Sequence, residues 1–192
     1  MILRPDQPKT KVFFALWPTA AESSRLAAWQ EPLKLMCGGR AMLGGSLHNT
    51  LVFIGTIPHS RLELLQLAAQ EVNGEDFELC FDIARYWGHN HIVYAAPVQR
   101  PSPLTQLVMA LEQNLARHGF KFDGREYRPH VTLIRNARWT DAPLPVMQPV
   151  CWKITDFALV QSMSHEGAAA YRVLARFPLE AVAGVLQRVP DC

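Results

Sequence analysis

No stretch of this sequence is apolar for long enough to cross a bilayer, a crossing for which a helix needs about 20 residues. The longest early apolar run, Val12 to Trp17, is also too short for the core of a signal peptide. A cytoplasmic protein with no membrane partner is expected. Cysteine is sparse: Cys37, Cys80, Cys151 and Cys192 are widely scattered and form no C-x-x-C pair. That spacing excludes the common zinc and redox motifs and, in a cytoplasmic protein, predicts reduced, structural thiols. A complete phosphate-binding loop is missing too. "GRAMLGGS", residues 39–46, has the glycine spacing, but Gly45 stands where that motif requires lysine, so it reads as a flexible turn.

Charged residues are only 19% of the chain and apolar ones 49%, which excludes a disordered polyelectrolyte. The 192 residues are enough for a sizeable core. The formal net charge of +2 is small, but it is unevenly spread. Between positions 117 and 138, Arg117, Lys121, Arg125, Arg128, Arg135 and Arg138 face only Asp123 and Glu126, a local net of +4. A polyanion meets this segment first.

Lys11–Trp17 reads as a strand, and Thr19 with Glu22 forms a capping box that opens a helix. Leu26, Trp29 and Leu33 continue at helical spacing until Pro32 ends or kinks the element. Residues 46–55, "SLHNTLVFIG", read as a strand, and Ser60 with Glu63 predicts a second capped helix carrying Leu62, Leu65, Ala69 and Val72. Alternation over Phe77–Ile83 predicts a half-buried strand, and His91–Ala96 its neighbour. Ser102 and Pro103 open a third helix with Leu104, Leu107, Val108, Leu111 and Leu115 on one face, closed by Gly119. Strands at 129–135, 154–162 and 171–179 complete the pattern. The class is α+β with antiparallel pairs.

A weak repeat runs through these elements. A strand beginning near Val12 is followed 36 positions later by His48, and one beginning near Ile92 is followed 38 positions later by His130. Each interval contains strand, helix, loop and strand. The second copy, "RPHVTLIRN", carries "HVTL" at 130–133 against "HNTL" at 48–51. Chance supplies roughly 0.04 such matches in a chain of this composition.

In a strand, side chains i and i+2 share a face, so His48 points with Thr50 and His130 with Thr132. If the copies face each other, two imidazoles converge on one cleft with a hydroxyl beside each. Imidazoles with ordinary pKa values near 6.5 divide acid and base roles near neutrality, and threonine hydroxyls donate hydrogen bonds to phosphate oxygens. The chemistry points to a phosphodiester. Neither motif has an Asp or Glu at ligand spacing, so no metal site is expected. The remaining histidines, His59, His89, His91, His118 and His165, read as structural.

These residues resemble the two-histidine (2H) phosphoesterases, and within them the LigT-like RNA 2',3'-cyclic phosphodiesterases. "KVFFALWP" is similar to that family's opening strand, "LHNTLVFIG" and "RPHVTLIR" to its two H-x-T motifs, and "LVQSMSHEGAAAYRVLARFPL" to its closing hairpin. The resemblance implies one two-lobed domain over residues 1–192, each lobe a small antiparallel sheet packed with helices around a central cleft. It implies a mechanism without metal or cofactor, in which His48 protonates the departing ribose oxygen and His130 activates water. It also implies a substrate-binding role for Arg135, five positions after the second histidine. Strict alternation places Arg135 on the wrong face, and Arg128 has the better parity. Phe14 matches a family position that stacks on the terminal base, with core packing as the alternative. Asn49 departs from the aliphatic residue usual between His and Thr.

The expected partners are RNA ends or small nucleotides bearing a 2',3'-cyclic phosphate, the expected state is a monomer, and reversible 2',5' RNA ligation is the accompanying activity. A non-catalytic RNA-end binding module and a phosphodiesterase for other cyclic or 2',5'-linked nucleotides are the alternatives.

Overall fold

Thr19 caps the first helix as expected: its Oγ1 accepts the Glu22 N–H at 3.3 Å, while Glu22 Oε2 accepts the Thr19 N–H at 2.8 Å. In the computed structural model, which describes residues 8–138, 141–165 and 168–181, β1 (Lys9–Leu16) leads into that helix, α1 (Ala20–Ala27). Pro32 does not end the next element. It lies in the first turn of α2 (Gln30–Cys37), where its missing N–H belongs to the set that a helix start leaves unpaired.

After β2 (Arg40–Ala41) and β3 (Asn49–Pro58), the capping box read at Ser60 and Glu63 is replaced by a 3-10 turn over His59–Arg61. The helix α3 (Leu62–Gln70) starts without a side-chain cap, and burial of Leu65, Ala68 and Ala69 fixes it instead. β4 (Phe77–Phe81), β5 (Ile83–Trp87) and β6 (Ile92–Ala96) precede α4 (Ser102–Arg117), whose predicted stripe is buried and whose end is turned by Gly119 at φ +69°. β7 (Val131–Arg135), β8 (Val150–Ile154), β9 (Asp156–His165) and β10 (Ala168–Pro178) complete the chain order. Among the described residues, no helix is long and apolar enough to cross a membrane. Trp139 and Cys192 lie outside the described residues.

The main sheet runs β10-β9-β1-β3-β7-β6-β5, with antiparallel neighbours and β2 on the end of β7. Its two halves meet at β3 and β7 through one pair, Asn49 with Val131. One face is covered by helices: α3 and α4 pack on each other and on β10 and β3, and α2 packs on β2 and β7. The opposite face carries two small apolar clusters. Phe13, Ala15, Ala158 and Val160 with Trp17 and Tyr171 form one, and Ile92, Tyr94 and Ala96 with Ile83 and Trp87 form the other.

A separate two-stranded sheet pairs β4 with β8 and corrects the expectation for cysteine. Cys80 and Cys151 stand opposite each other with Cα atoms 3.9 Å apart and are joined as a disulfide, whereas Cys37 is a buried free thiol. Sequence scatter hides the pair because β4 and β8 come from distant parts of the chain.

Candidate active site

His48 and His130 stand immediately before β3 and β7, on either side of the junction between the two halves of the sheet. Each is held by the same bond. His48 Nδ1 lies 2.7 Å from the Ser46 carbonyl oxygen, and His130 Nδ1 lies 2.7 Å from that of Arg128. A carbonyl only accepts, so both Nδ1 atoms carry hydrogen and both Nε2 atoms are left to exchange a proton.

The two strands then share an irregularity. Phe14 pairs with Val52 and Ala15 with Thr50, leaving Leu51 unopposed. Likewise Val93 pairs with Ile134 and Tyr94 with Thr132, leaving Leu133 unopposed. These bulges put two successive residues, Leu51 with Val52 and Leu133 with Ile134, into the core and reverse the alternation beyond them. Arg135 therefore joins His130 and Thr132 on the cleft face, which resolves its parity. Phe53, the corresponding residue after His48, reaches the cleft in the same way and is exposed. Sequence reading misses Phe53, although the repeat gives it the same offset from its histidine as Arg135.

A cavity of about 120 Å³ is lined by His48, Thr50, His130, Thr132, Arg135 and Tyr171, among others. It opens beside a groove of about 490 Å³ that shares Thr50, His130, Thr132 and Arg135 and extends past Phe53 and Arg128. Arg128 stands in the groove, its guanidinium 2.9 Å from the exposed Glu126 carboxylate. Arg135 thus lines the small cavity together with both imidazoles, whereas Arg128 lines only the groove.

Phe14 is the correction. It is completely buried on the helix side of the sheet, against Phe157 and Phe177, and no nucleobase reaches it there. Its neighbour Phe13 faces His48 instead, with ring centroids 5.0 Å apart. Asn49 does place an amide in the packing face: it is fully buried, and its Oδ1 accepts the Tyr127 hydroxyl at 3.1 Å.

Aromatic rings enclose both imidazoles. Trp17 stacks on His48 and Tyr171 meets it edge-on at 5.0 Å; Trp87 and Tyr94 approach His130 edge-on at 4.6 and 5.7 Å. This burial is the main reason that the His48 pKa falls to about 4; the positive fields of His130 and Arg135 add to it, against the Ser46 carbonyl. His130 is pushed down by burial and by Arg135, against the Arg128 carbonyl. Among the described residues, the only cluster of three His, Cys, Asp or Glu side chains is Glu78, Cys80 and Cys151, and it includes neither imidazole; its two sulfurs are bonded to each other in the disulfide and are not free to ligate a metal. The arrangement brings two imidazole Nε2 atoms, two threonine hydroxyls and one guanidinium around a single cavity.

Comparison with known proteins places the chain in a family. Residues 19–166 match the model of the 2'-5' RNA ligase superfamily. An RNA 2',3'-cyclic phosphodiesterase of Escherichia coli (strain K12) is 28% identical over 169 residues, which is 88% of this chain and 96% of that one. The crystal structure of E. coli LigT complexed with 3'-AMP superposes with a TM-score of 0.81 at 28% identity, over 90% of this chain and 99% of that one. TT0787 of Thermus thermophilus shares the fold, with a TM-score of 0.73 at 21% identity over 89% and 98% of the two chains. The chain belongs to the 2'-5' RNA ligase superfamily, the two-histidine phosphoesterases.

Proposed function

We propose that this protein hydrolyses 2',3'-cyclic phosphodiesters at RNA ends, leaving a 2'-phosphomonoester, by acid–base catalysis between His130 and His48. The observation that carries the reading is the cavity in which the two imidazoles, each fixed through Nδ1, share their space with two threonines and Arg135. The phosphoryl group lies between the imidazoles. Thr50 and Thr132 donate hydrogen bonds to its nonbridging oxygens, and the Arg135 guanidinium balances their charge.

His130 Nε2 takes a proton from water as the water oxygen bonds to phosphorus. The bond from phosphorus to O3' breaks, and His48 Nε2–H delivers its proton to that oxygen. If the 5'-hydroxyl of another RNA replaces water, the same step forms a 2',5' linkage. The assignment of acid and base follows the family, and the location of His48 fits a strong acid: its low pKa makes the imidazolium donate readily, and the bound phosphate anion favours its protonation. The donor set supports a reaction without metal, because no carboxylate joins the imidazoles at ligand distance among the described residues.

An RNA oligonucleotide ending in a 2',3'-cyclic phosphate tests the reading, with the product identified by phosphorus NMR in the presence of chelator. A 2'-phosphate is expected. A 3'-phosphate contradicts the regiochemistry, and the absence of turnover contradicts the function.

A further inference from the structure

The groove outside the cavity has two aromatic walls, and one terminal base occupies only one of them. We propose that the second wall, at the tip of the β5–β6 hairpin, is a subsite for the nucleotide preceding the cyclic end, so that the substrate is single-stranded RNA of at least two nucleotides. The inference rests on the reading of the cavity as a cyclic-phosphate site.

The first wall is Phe53, 39% exposed, with Lys11 Nζ 5.4 Å from its ring centre. The second is Trp87, with His89 and Asn90 beside it at the turn. Trp87 spans the distance from the chemistry to the hairpin tip. Its indole packs on Tyr94 at 4.1 Å and meets His130 edge-on at 4.6 Å, while the exposed His89 ring stands 6.4 Å away and tilted by 40°. Both rings line the groove, where a base stacks against this pair.

The wall is preformed. The Ala137 N–H donates to the His91 carbonyl at 2.9 Å, the Tyr86 hydroxyl donates to the Ala137 carbonyl at 3.3 Å, and the Asn90 N–H donates to the Trp87 carbonyl at 3.3 Å. The first two bonds tie the hairpin to the segment after β7 and the third closes its turn, so little ordering is left to oppose binding.

Charge is placed to match. Arg85 lies two residues before Trp87 on the same face of β5 and opposite Tyr94 in the register. It is exposed and forms no ion pair among the described residues. Burial raises the Tyr94 pKa, and the guanidiniums of Arg85 and Arg128 both oppose that rise, which places the two charges around this wall. A base on Trp87 brings the phosphodiester that links it to the terminal nucleotide toward Arg85 and Arg128, in a groove that Glu112, Asp123 and the Arg128 partner Glu126 also line. A duplex end keeps its bases stacked on each other and does not stack on this pair of rings.

The test compares kcat/KM for a mononucleoside 2',3'-cyclic phosphate, the same compound with a 5'-phosphate, and a dinucleotide ending in the same cyclic group. The wild type is expected to favour the dinucleotide over the mononucleoside by about 5- to 100-fold, as one base stack implies, with the 5'-phosphorylated compound between them. His89→Ala reduces the step between the 5'-phosphorylated compound and the dinucleotide, and Arg85→Gln reduces the step gained from the 5'-phosphate. A wild-type ratio near one, or ratios that neither substitution changes, overturns the subsite while leaving the cyclic-phosphate reading intact. No turnover of any of the three compounds overturns both.

Discussion

Trp17 lies flat over the His48 imidazole, with ring centroids 5.2 Å apart and planes 10° from parallel. Two opposing effects meet in this contact. The indole face attracts an imidazolium by about 0.5–2 kcal/mol, while burial disfavours it. The pKa of about 4, against 6.5 for the free group, corresponds to roughly 3 kcal/mol in favour of neutral imidazole, so burial wins. Trp17→Leu opens the site to water and raises the His48 pKa toward 6.5, which histidine NMR titration reads directly. With His48 as the acid, the descending limb of kcat/KM moves to higher pH with it. An unchanged or lowered pKa contradicts this account of the site.

Stability carries the same signature. The folded state binds the His48 proton less tightly than the unfolded state, so between pH 6.5 and about 4 the unfolded chain holds more protons. Falling pH therefore lowers stability across that window, by a maximum on the order of 3 kcal/mol from this group, and the stabilising share is fully present above pH 6.5. His48→Gln removes this share of the slope. Denaturant unfolding at pH 4, 5, 6 and 7 measures it, and a slope identical to the wild type contradicts the assignment.

The β7 bulge makes Arg135 a charge common to both imidazoles. Arg135→Gln is expected to lower kcat/KM by about 10- to 100-fold, as for a lost charged hydrogen bond, and to weaken its salt dependence. Because the guanidinium lowers both histidine pKa values, its loss shifts the whole pH profile upward. Arg128→Gln, outside the imidazole pair, leaves the position of the profile in place. Equal shifts from the two substitutions contradict the geometry.

The repeat, the H-x-T pairs and the α+β class are legible in the sequence because they depend on local spacing. The facing of the residues beyond Thr132 is not. A bulge is an irregularity of pairing between β6 and β7, so Arg135 looks misplaced until the partner strand is in view. Phe14 is misread for a related reason: β1 is buried on both faces from Val12 to Leu16, and an apolar run gives no phase to tell Phe13 from Phe14. Trp87 carries no motif, and the stretches that hold Trp17 and Tyr171 are legible only as strands; the assembled sheet brings all three to the histidines.

The disulfide also depends on tertiary pairing. Its cysteines are 71 positions apart, and closing a loop of that length removes unfolded-state entropy corresponding to about 4 kcal/mol. Thiol titration of the unreduced, denatured protein is expected to leave Cys80 and Cys151 unreactive, and Cys80→Ser with Cys151→Ser to lower the melting temperature. Reactive thiols at both positions contradict the pairing.

The central claim is that His48 and His130 act on one phosphoryl group as a single acid–base unit. Its most direct test is the single-turnover rate on an RNA ending in a 2',3'-cyclic phosphate for His48→Ala, His130→Ala and the double variant, with native folding checked by melting. Each single substitution is expected to cost about 10²- to 10⁴-fold. The double variant is expected to be little slower than the slower single, because groups that act together are not lost independently. A single variant that retains near-wild-type turnover, or costs that multiply in the double variant, contradicts the claim.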